Sequence, residues 1–84
     1  MYKLEILVTL KNDVLDPQGK AITQSAKSIH LGDVIDVKQG KYFEILLKSS
    51  NSIKQARLIA SKLSEKLLCN EVIENFNIIN IKKL

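Results

Sequence analysis

The chain has 84 residues, of which 45 % are hydrophobic, and its formal net charge is +4 at neutral pH. This length predicts a single domain over residues 1–84, which buries too little surface to be very stable alone. The high apolar content for so short a chain favours self-association. The lone Cys69 excludes an internal disulfide and any multi-cysteine metal site. No apolar run reaches the roughly 20 residues that span a membrane, and no block of five basic residues occurs. We therefore expect a cytoplasmic protein that binds neither membranes nor nucleic acid.

The first predicted strand leads into the first predicted helix through an Asp-Pro-x-Gly connection. Residues 2–10 are apolar at every even position, which predicts a half-buried strand. Asp16 suits the N-cap of a helix that runs to about Ile29, and Gly32 suits the position just after its end. Gly19 costs this helix roughly 1 kcal/mol relative to alanine, so we expect another group to approach the backbone there. The apolar positions predicted for this helix are Ala21, Ile22, Ala26 and Ile29.

The rest of the chain predicts three more strands and a second helix. Val34–Val37 and Tyr42–Lys48 are two short strands joined by a turn around Gly40, and residues 76–81 form the last strand. Between them, the spacing of apolar residues predicts a helix that one of Ser50, Asn51 and Ser52 caps and that ends near Asn70. The inward positions predicted for that helix are Ile53, Ala56, Ala60, Leu63 and Leu67. The order βαββαβ predicts an α+β fold of the ferredoxin-like type, an antiparallel four-stranded sheet with both helices on one face.

Residues with reactive side chains are few and scattered. His30 is the only histidine, and we interpret it as a residue that covers the last carbonyls of the first helix rather than as a catalytic base. Cys69 is interpreted as a small, half-buried apolar residue. Asp33 and Asp36 lack a third ligand and are interpreted as solvated turn residues. The sequence therefore predicts no catalytic residue, no cofactor site and no metal site in this chain.

Two other functions are compatible with a ferredoxin-like fold. RNA-recognition domains share this order of elements, but the stretch from Gln39 to Leu46 lacks their small residue before the second aromatic and carries Glu44. A small-molecule regulatory module would place a glycine-bearing loop after the first strand, and Asn12, Asp13 and Gly19 are a weak match to that pattern. Both functions stay open as alternatives.

Three blocks, in order along nearly the whole chain, resemble the PurS family, the small subunits of phosphoribosylformylglycinamidine synthase. The first is Leu-Asp-Pro-Gln-Gly-Lys-Ala at residues 15–21, and the second is Gly-Lys-Tyr-Phe-Glu-Ile at residues 40–45. The third, residues 66–76, has Glu71 where many relatives have proline. The resemblance implies a non-catalytic subunit that bridges the glutaminase and the ATP-dependent ligase subunits and helps ammonia to pass between them. It also implies a dimer or tetramer with no cofactor of its own, because ATP and Mg belong to the large subunit.

The resemblance also directs attention to the residues that would contact the larger subunits. The candidates are Asp16, Gln18, Gly19, Lys20, Gly40, Lys41, Tyr42 and Asn70. We expect Gly19→Leu to leave the dimer folded and to impair assembly with the larger subunits. In the dimer, the two chains are expected to share sheet faces or strands, with the last strand as the best candidate. Alternation places Ile79 and Ile81 on one face of that strand, and Phe76 and Ile78 on the other.

Overall fold

A three-stranded antiparallel sheet forms the centre of the computed structural model, which describes residues 1–48 and 52–84. Strand β1 (Tyr2–Leu10) lies in the middle, with β2 (Gly40–Leu47) on one side and β3 (Glu74–Lys83) on the other. The alternation in β1 turns its even-numbered residues toward the core, where Leu4 and Ile6 are fully buried. The predicted first strand is confirmed, and β2 begins two residues earlier than predicted, at Gly40 rather than Tyr42.

Helix α2 (Ile53–Leu63) covers the inner face of this sheet over β1 and β3. Ser52 caps it: the Ser52 hydroxyl accepts from the Gln55 N–H, and the Gln55 side chain accepts from the Ser52 N–H. The other two predicted caps, Ser50 and Asn51, lie outside the described residues. Ala56 and Ala60 are fully buried against the sheet, so small side chains let this helix pack closely on β1.

The end of α2 departs from the predicted apolar stripe. Residues 64–68 form a π-helical turn, closed by a hydrogen bond from the Cys69 N–H to the Ser64 carbonyl at 2.9 Å. The extra residue in this turn rotates the following side chains, so Leu68 packs on the core and Leu67 is 77 % exposed. The inward position predicted for Leu67 is therefore wrong. Ile53, in the first turn of α2, is 56 % exposed, so its predicted inward position is also wrong.

A bulge in β3 changes which of its side chains reach the core. Glu5 pairs with Asn80 and Ile6 pairs with Ile78, so Ile79 is an extra residue without a partner in β1. The bulge brings Ile81 back to the inner face, where it packs on the core with Phe76 and Ile78. The prediction that Ile81 shares a face with Ile79 is wrong, because strict alternation does not continue through a bulge.

Helix α1 (Pro17–Ser28) ends in a hydrogen-bonded reversal centred on His30. The His30 N–H donates to the Lys27 carbonyl at 3.3 Å, and the Leu31 N–H donates to the Ala26 carbonyl at 2.9 Å. His30 takes the left-handed conformation, with φ 66°, that this motif needs after the helix. Gly32 has no positive φ, so its prediction as the terminating residue is wrong.

Helix α1 does not pack extensively on the sheet or on α2, which contradicts the prediction of both helices on one sheet face. The segment after it, residues 34–39, returns along α1 as irregular backbone. No strand forms at Val34–Val37, because this segment lies beside a helix and not beside a strand of the described chain. We call residues 12–39 the arm.

The arm makes the molecule elongated. Its principal extents are 51 × 28 × 14 Å and its radius of gyration is 16.4 Å, whereas a compact domain of this length has about 12 Å. Within the described residues, no helix combines the length and the hydropathy that a membrane-spanning segment needs.

Candidate interaction surface

Asp16 holds the base of the arm together. One of its carboxylate oxygens accepts from the Gly19 N–H at 2.9 Å as the N-cap of α1, and the other accepts from the Gln39 N–H at 2.9 Å. These two hydrogen bonds, with a smaller contribution from the nearby Lys38, hold the pKa of Asp16 below its ordinary value. A single carboxylate thus joins the beginning of α1 to the end of the returning segment.

Gly19 is buried under that returning segment. A Cβ atom added at Gly19 would overlap the backbone carbonyl oxygen of Val37 and come within 3 Å of the Asp16 carboxylate. Thr23 and Ala26, also buried, continue this narrow face of α1, and the Thr23 hydroxyl donates to the Gly19 carbonyl at 2.9 Å. The expectation that a group approaches the backbone here is confirmed, and the group belongs to the same chain. Gly19→Leu would therefore disturb the fold, contrary to the expectation that it affects assembly alone.

Glu74, the first residue of β3, links two of the predicted contact residues, Asn70 and Lys41. Its side chain is 10 % exposed, and its two carboxylate oxygens point to different partners. One accepts from the Asn70 N–H at 2.8 Å, and the other lies 3.5 Å from the Lys41 ammonium. Asn70 does not take the left-handed conformation expected of a helix terminator. Instead its side-chain oxygen accepts from the Val72 N–H at 3.2 Å and shapes the turn into β3.

Most of the predicted contact residues lie near the end of the sheet at which β2 and β3 begin and β1 ends. One cleft of about 200 Å³ lies between the arm, β2 and β3, and four of the candidates line it: Asp16, Gln18, Gly40 and Lys41. Lys20 lines an adjoining cleft of about 340 Å³, which also reaches Asp16. Asn70 is tied to the same surface through Glu74, whereas Gly19 lies beneath it. We call this region, formed by the arm base, the start of β2 and the turn before β3, the junction surface.

Tyr42 stands apart from the junction surface. It lies on the outer face of the sheet, opposite Leu7, and is 51 % exposed. Its hydroxyl donates to the Glu44 carboxylate at 3.1 Å, and desolvation together with Glu44 and Glu5 raises the pKa of Tyr42 to about 12. Glu5 lies directly opposite Glu44 on this face, and Lys3 pairs with both. These paired carboxylates on the outer face repel phosphate, which disfavours this face as an RNA-binding surface.

Three residues that hold the junction surface together through hydrogen bonds or an ion pair, Gln39, Lys38 and Glu74, were not among the predicted candidates. Gln39 and Lys38 end the returning segment and hydrogen-bond to the beginning of the arm. The Gln39 N–H donates to the Asp16 carboxylate, and the Lys38 ammonium donates to the Asn12 side chain at 3.2 Å. Glu74 is the third, and the sequence does contain a signal for it. It stands two residues before Phe76 on the inward face of β3, where a carboxylate requires polar partners.

Reactive groups do not converge on this surface. Among residues 1–48 and 52–84, no three His, Cys, Asp or Glu side chains are grouped closely enough to hold a metal ion. Cys69 is an apolar residue, as predicted, but it is buried in the core rather than half-buried, and desolvation and the nearby Glu74 and Glu71 raise the pKa of its thiol. A protonated, buried thiol is a poor nucleophile. What the surface offers is hydrogen-bonding and charged groups held by their own network, which suits contact with another protein.

The fold and this surface define a small, elongated α+β protein with a polar contact surface. A family model described as "PurS: Phosphoribosylformylglycinamidine (FGAM) synthase" matches residues 3–82. The chain belongs to the PurS family.

Named relatives match this chain over nearly its full length. A phosphoribosylformylglycinamidine synthase subunit PurS of Bacillus subtilis is 40 % identical over 76 residues, which cover 90 % of this chain and 88 % of the relative. The crystal structure of Methanocaldococcus jannaschii PurS, described as a subunit of formylglycinamide ribonucleotide amidotransferase, is 26 % identical with a TM-score of 0.88. It covers 100 % of this chain, and 99 % of its own length is matched. The PurLQS structure of Thermotoga maritima contains a chain that is 26 % identical with a TM-score of 0.78, over 99 % of this chain and 96 % of that chain.

Proposed function

We propose that this chain is the small subunit of phosphoribosylformylglycinamidine synthase in purine biosynthesis, and that it bridges the ATP-dependent ligase subunit and the glutaminase subunit. The observation that carries the proposal is the junction surface, in which residues of all three blocks that resemble the family meet on one side of the sheet. Family membership supports it, since the relatives are named as subunits of this enzyme and one similar chain comes from a PurLQS structure.

The chemistry of the complex is divided between its subunits in this proposal. The glutaminase releases ammonia, and the ligase binds ATP and Mg and uses the ammonia to form the amidine. This chain, as one domain over residues 1–84 in the cytoplasm, holds no cofactor. It contributes by holding the other two subunits so that ammonia passes between them. Residues Asp16, Gln18, Lys20, Gly40, Lys41 and Asn70 present the junction surface to a larger subunit, and Tyr42 provides a separate contact on the outer sheet face.

Self-association is the second part of the proposal. The exposed surface of the chain is 6318 Å², whereas a compact monomer of this mass exposes about 5,000 Å². An excess of about 1,300 Å² is more than the roughly 800 Å² that each partner buries in a standard stable interface. We propose that two chains associate and complete a four-stranded ferredoxin-like arrangement between them. Because β3 contributes three core side chains, truncation after Asn75 would unfold the chain and does not test how the chains associate.

The test is reconstitution with the ligase and glutaminase subunits from the same genome. We expect glutamine-dependent synthesis and a ternary complex only when this chain is present. Full glutamine-dependent activity without it would overturn the proposal.

A pair of matched variants locates the contact. Lys20→Glu places a negative charge beside Asp16 in the cleft of the junction surface, whereas Lys27→Glu makes the same change in the last turn of the same helix. We expect Lys20→Glu to weaken the ternary complex about 10-fold, which corresponds to ~1.4 kcal/mol, and Lys27→Glu to leave it intact. Equal effects of the two variants would show that the junction surface is not the contact.

A further inference from the structure

We propose that the outer face of the sheet binds an arginine side chain of one of the larger subunits, between the Glu5 and Glu44 carboxylates and against the ring of Tyr42. This inference rests on the proposed function and names the chemistry of the contact at Tyr42. Three observations lead to it: an opposed pair of carboxylates, the small number of cations near them, and the exposed apolar residues around them.

The two carboxylates oppose each other in the middle of the sheet. Glu5 of β1 and Glu44 of β2 are direct antiparallel neighbours, so their Cβ atoms are about 5 Å apart. Like charges in this relation destabilise the pairing of two strands. The Glu5 side chain is only 23 % exposed, so water screens the repulsion less than it does at an open surface. A cation that enters between the two carboxylates from outside would relieve this repulsion.

The chain places one ammonium group beside these two anions. The Lys3 ammonium lies 3.3 Å from Oε1 of Glu44 and 3.8 Å from Oε1 of Glu5. The Tyr42 hydroxyl donates to the same Oε1 of Glu44 at 3.1 Å. All three contacts use Oε1, so Oε2 of both carboxylates is available to another donor. Lys82 neighbours Lys3 and not Glu5, so the middle of the face keeps a negative charge.

A guanidinium group fits this arrangement better than an ammonium group does. Its planar fork of N–H donors can reach two carboxylates at once, and its flat face stacks on an aromatic ring. Tyr42 supplies such a ring, because it stands two residues before Glu44 on the same face of β2 and is 51 % exposed. Partners that present carboxylate or phosphate groups would be repelled by the same two anions. The charge and the ring together therefore select arginine.

Exposed apolar residues accompany the carboxylates, which favours a protein contact over a solvated cluster of charges. Leu46 lies opposite Lys3 and is 63 % exposed, and Ile79, the extra residue of the β3 bulge, is 50 % exposed. A partner that covers these residues would exclude water from the ion pairs, as happens at the centre of protein interfaces. The outer face also stays open in the ferredoxin-like arrangement, because the helices cover the opposite face. A larger subunit is therefore the partner to which this face is available.

Neutral variants of the two carboxylates test the site. Glu44→Gln and Glu5→Gln keep the shape of the side chain and remove its charge, and Glu65→Gln makes the same change at an exposed position of the π-helical turn. We expect each of the first two variants to raise the dissociation constant of the complex with the larger subunits at least ~10-fold, and Glu65→Gln to change it less than about 2-fold. In the free chain, Glu44→Gln should leave the melting temperature unchanged or raise it, because the repulsion is relieved. Equal binding by all three variants, or a fall in the melting temperature of Glu44→Gln, overturns the proposal.

Variants of Tyr42 test the aromatic ring. Tyr42→Phe keeps the ring and removes the hydroxyl, whereas Tyr42→Leu keeps an apolar side chain and removes the ring. We expect Tyr42→Phe to bind the larger subunits within about 3-fold of the unsubstituted chain and Tyr42→Leu to bind them about 10-fold more weakly. Equal binding by the two variants would show that no cation stacks on the ring.

Photochemical cross-linking identifies the occupant. With p-benzoylphenylalanine in place of Tyr42, irradiation of the assembled complex should join this chain to a segment of a larger subunit that contains an arginine. Replacing that arginine by lysine should weaken the complex of the unsubstituted chain and have little further effect on the complex of Glu44→Gln, because the contact is already lost there. A cross-link to a segment without arginine, to a second copy of this chain, or to neither larger subunit overturns the proposal.

Assembly of the unsubstituted chain separates this proposal from the bridging function. If the ternary complex forms and Glu44→Gln assembles equally well, only the arginine site is wrong. If the unsubstituted chain does not assemble with the larger subunits, the bridging function is wrong and the arginine site is wrong with it.

Discussion

At the residue scale, Asp16 is the clearest case of one side chain serving two segments. Its carboxylate caps α1 and also accepts from the Gln39 N–H, so the anion is stabilised by hydrogen bonds that only the folded arm provides. Because the folded pKa is lowered, the anion contributes stability that is present above its unfolded pKa of about 3.9 and is lost as the pH falls through the lower folded value.

The corresponding prediction concerns acid stability. Asparagine at position 16 can keep the cap to Gly19, but it has no second oxygen for Gln39. We expect Asp16→Asn to lower the melting temperature at pH 7. We also expect the decrease in melting temperature between pH 5 and pH 2.5 to be smaller in this variant than in the unsubstituted chain. Asp13→Asn, at an exposed neighbouring position, serves as the control and should follow the unsubstituted chain. Identical pH profiles for the Asp16→Asn variant and the unsubstituted chain would contradict this role.

His30 provides a second prediction at this scale. It holds a φ of 66°, and the left-handed region costs a residue other than glycine of the order of 1 kcal/mol. We expect His30→Gly to raise the free energy of unfolding by about 0.5–1 kcal/mol, measured by urea denaturation. Gly32→Ala is the matched comparison: Gly32 has no positive φ and no atom within 4 Å of an added Cβ, so this change should be neutral or slightly stabilising. A loss of stability in His30→Gly would show that the imidazole makes a contact worth more than the strain.

At the scale of elements, small residues decide where backbones approach each other. Ala56 and Ala60 let α2 lie on β1, and Gly19 lets residues 34–39 lie on α1. The two cases differ in what the sequence shows. The alanines belong to a recognisable helical stripe, whereas a glycine in a first helical turn indicates a close approach without showing which segment approaches.

Gly19→Ala is the prediction for this element. The added methyl group would overlap the Val37 carbonyl, and overpacking of this kind typically costs 1–3 kcal/mol. We expect the variant to lose about that much stability in a urea titration and to show faster amide exchange in residues 34–39. Ala21→Gly, at an exposed position of the same helix, is the control and should cost only the helix propensity of roughly 1 kcal/mol. Unchanged exchange in residues 34–39 would mean that the returning segment does not depend on Gly19.

At the scale of the whole molecule, the elongated shape connects the fold to the function. A chain of this size with 6318 Å² of exposed surface and a radius of gyration of 16.4 Å does not bury its apolar material alone. We therefore expect association with a second chain to be part of its folding. In the proposed function, the faces that this association leaves exposed contact the larger subunits.

Concentration dependence is the prediction at this scale. When the folded state is a dimer, mass action stabilises it by about 1.4 kcal/mol per chain pair for each 10-fold rise in concentration. We expect the melting temperature to rise steadily as the protein concentration increases from the low micromolar to the high micromolar range. A melting temperature independent of concentration would indicate a chain that is stable as a monomer.

The sequence by itself determined the elements whose side chains follow a regular period. The alternation in β1, the inward Ala56 and Ala60 of α2 and the N-cap at Asp16 all follow from local spacing and were predicted correctly. Their patterns are local because each one repeats within a few residues. The three blocks that resemble the PurS family also indicated the family, which the comparisons confirm.

Only the tertiary structure decided what depends on contacts between distant residues. The bulge at Ile79, the π-helical turn that exposes Leu67 and the Glu74 link between Asn70 and Lys41 each arise where one segment adapts to another. The largest departure, the position of α1 away from its own sheet, has the same cause. Periodicity shows that a helix has an apolar side, but it does not show whether the surface that buries this side lies in the same chain or in a second one.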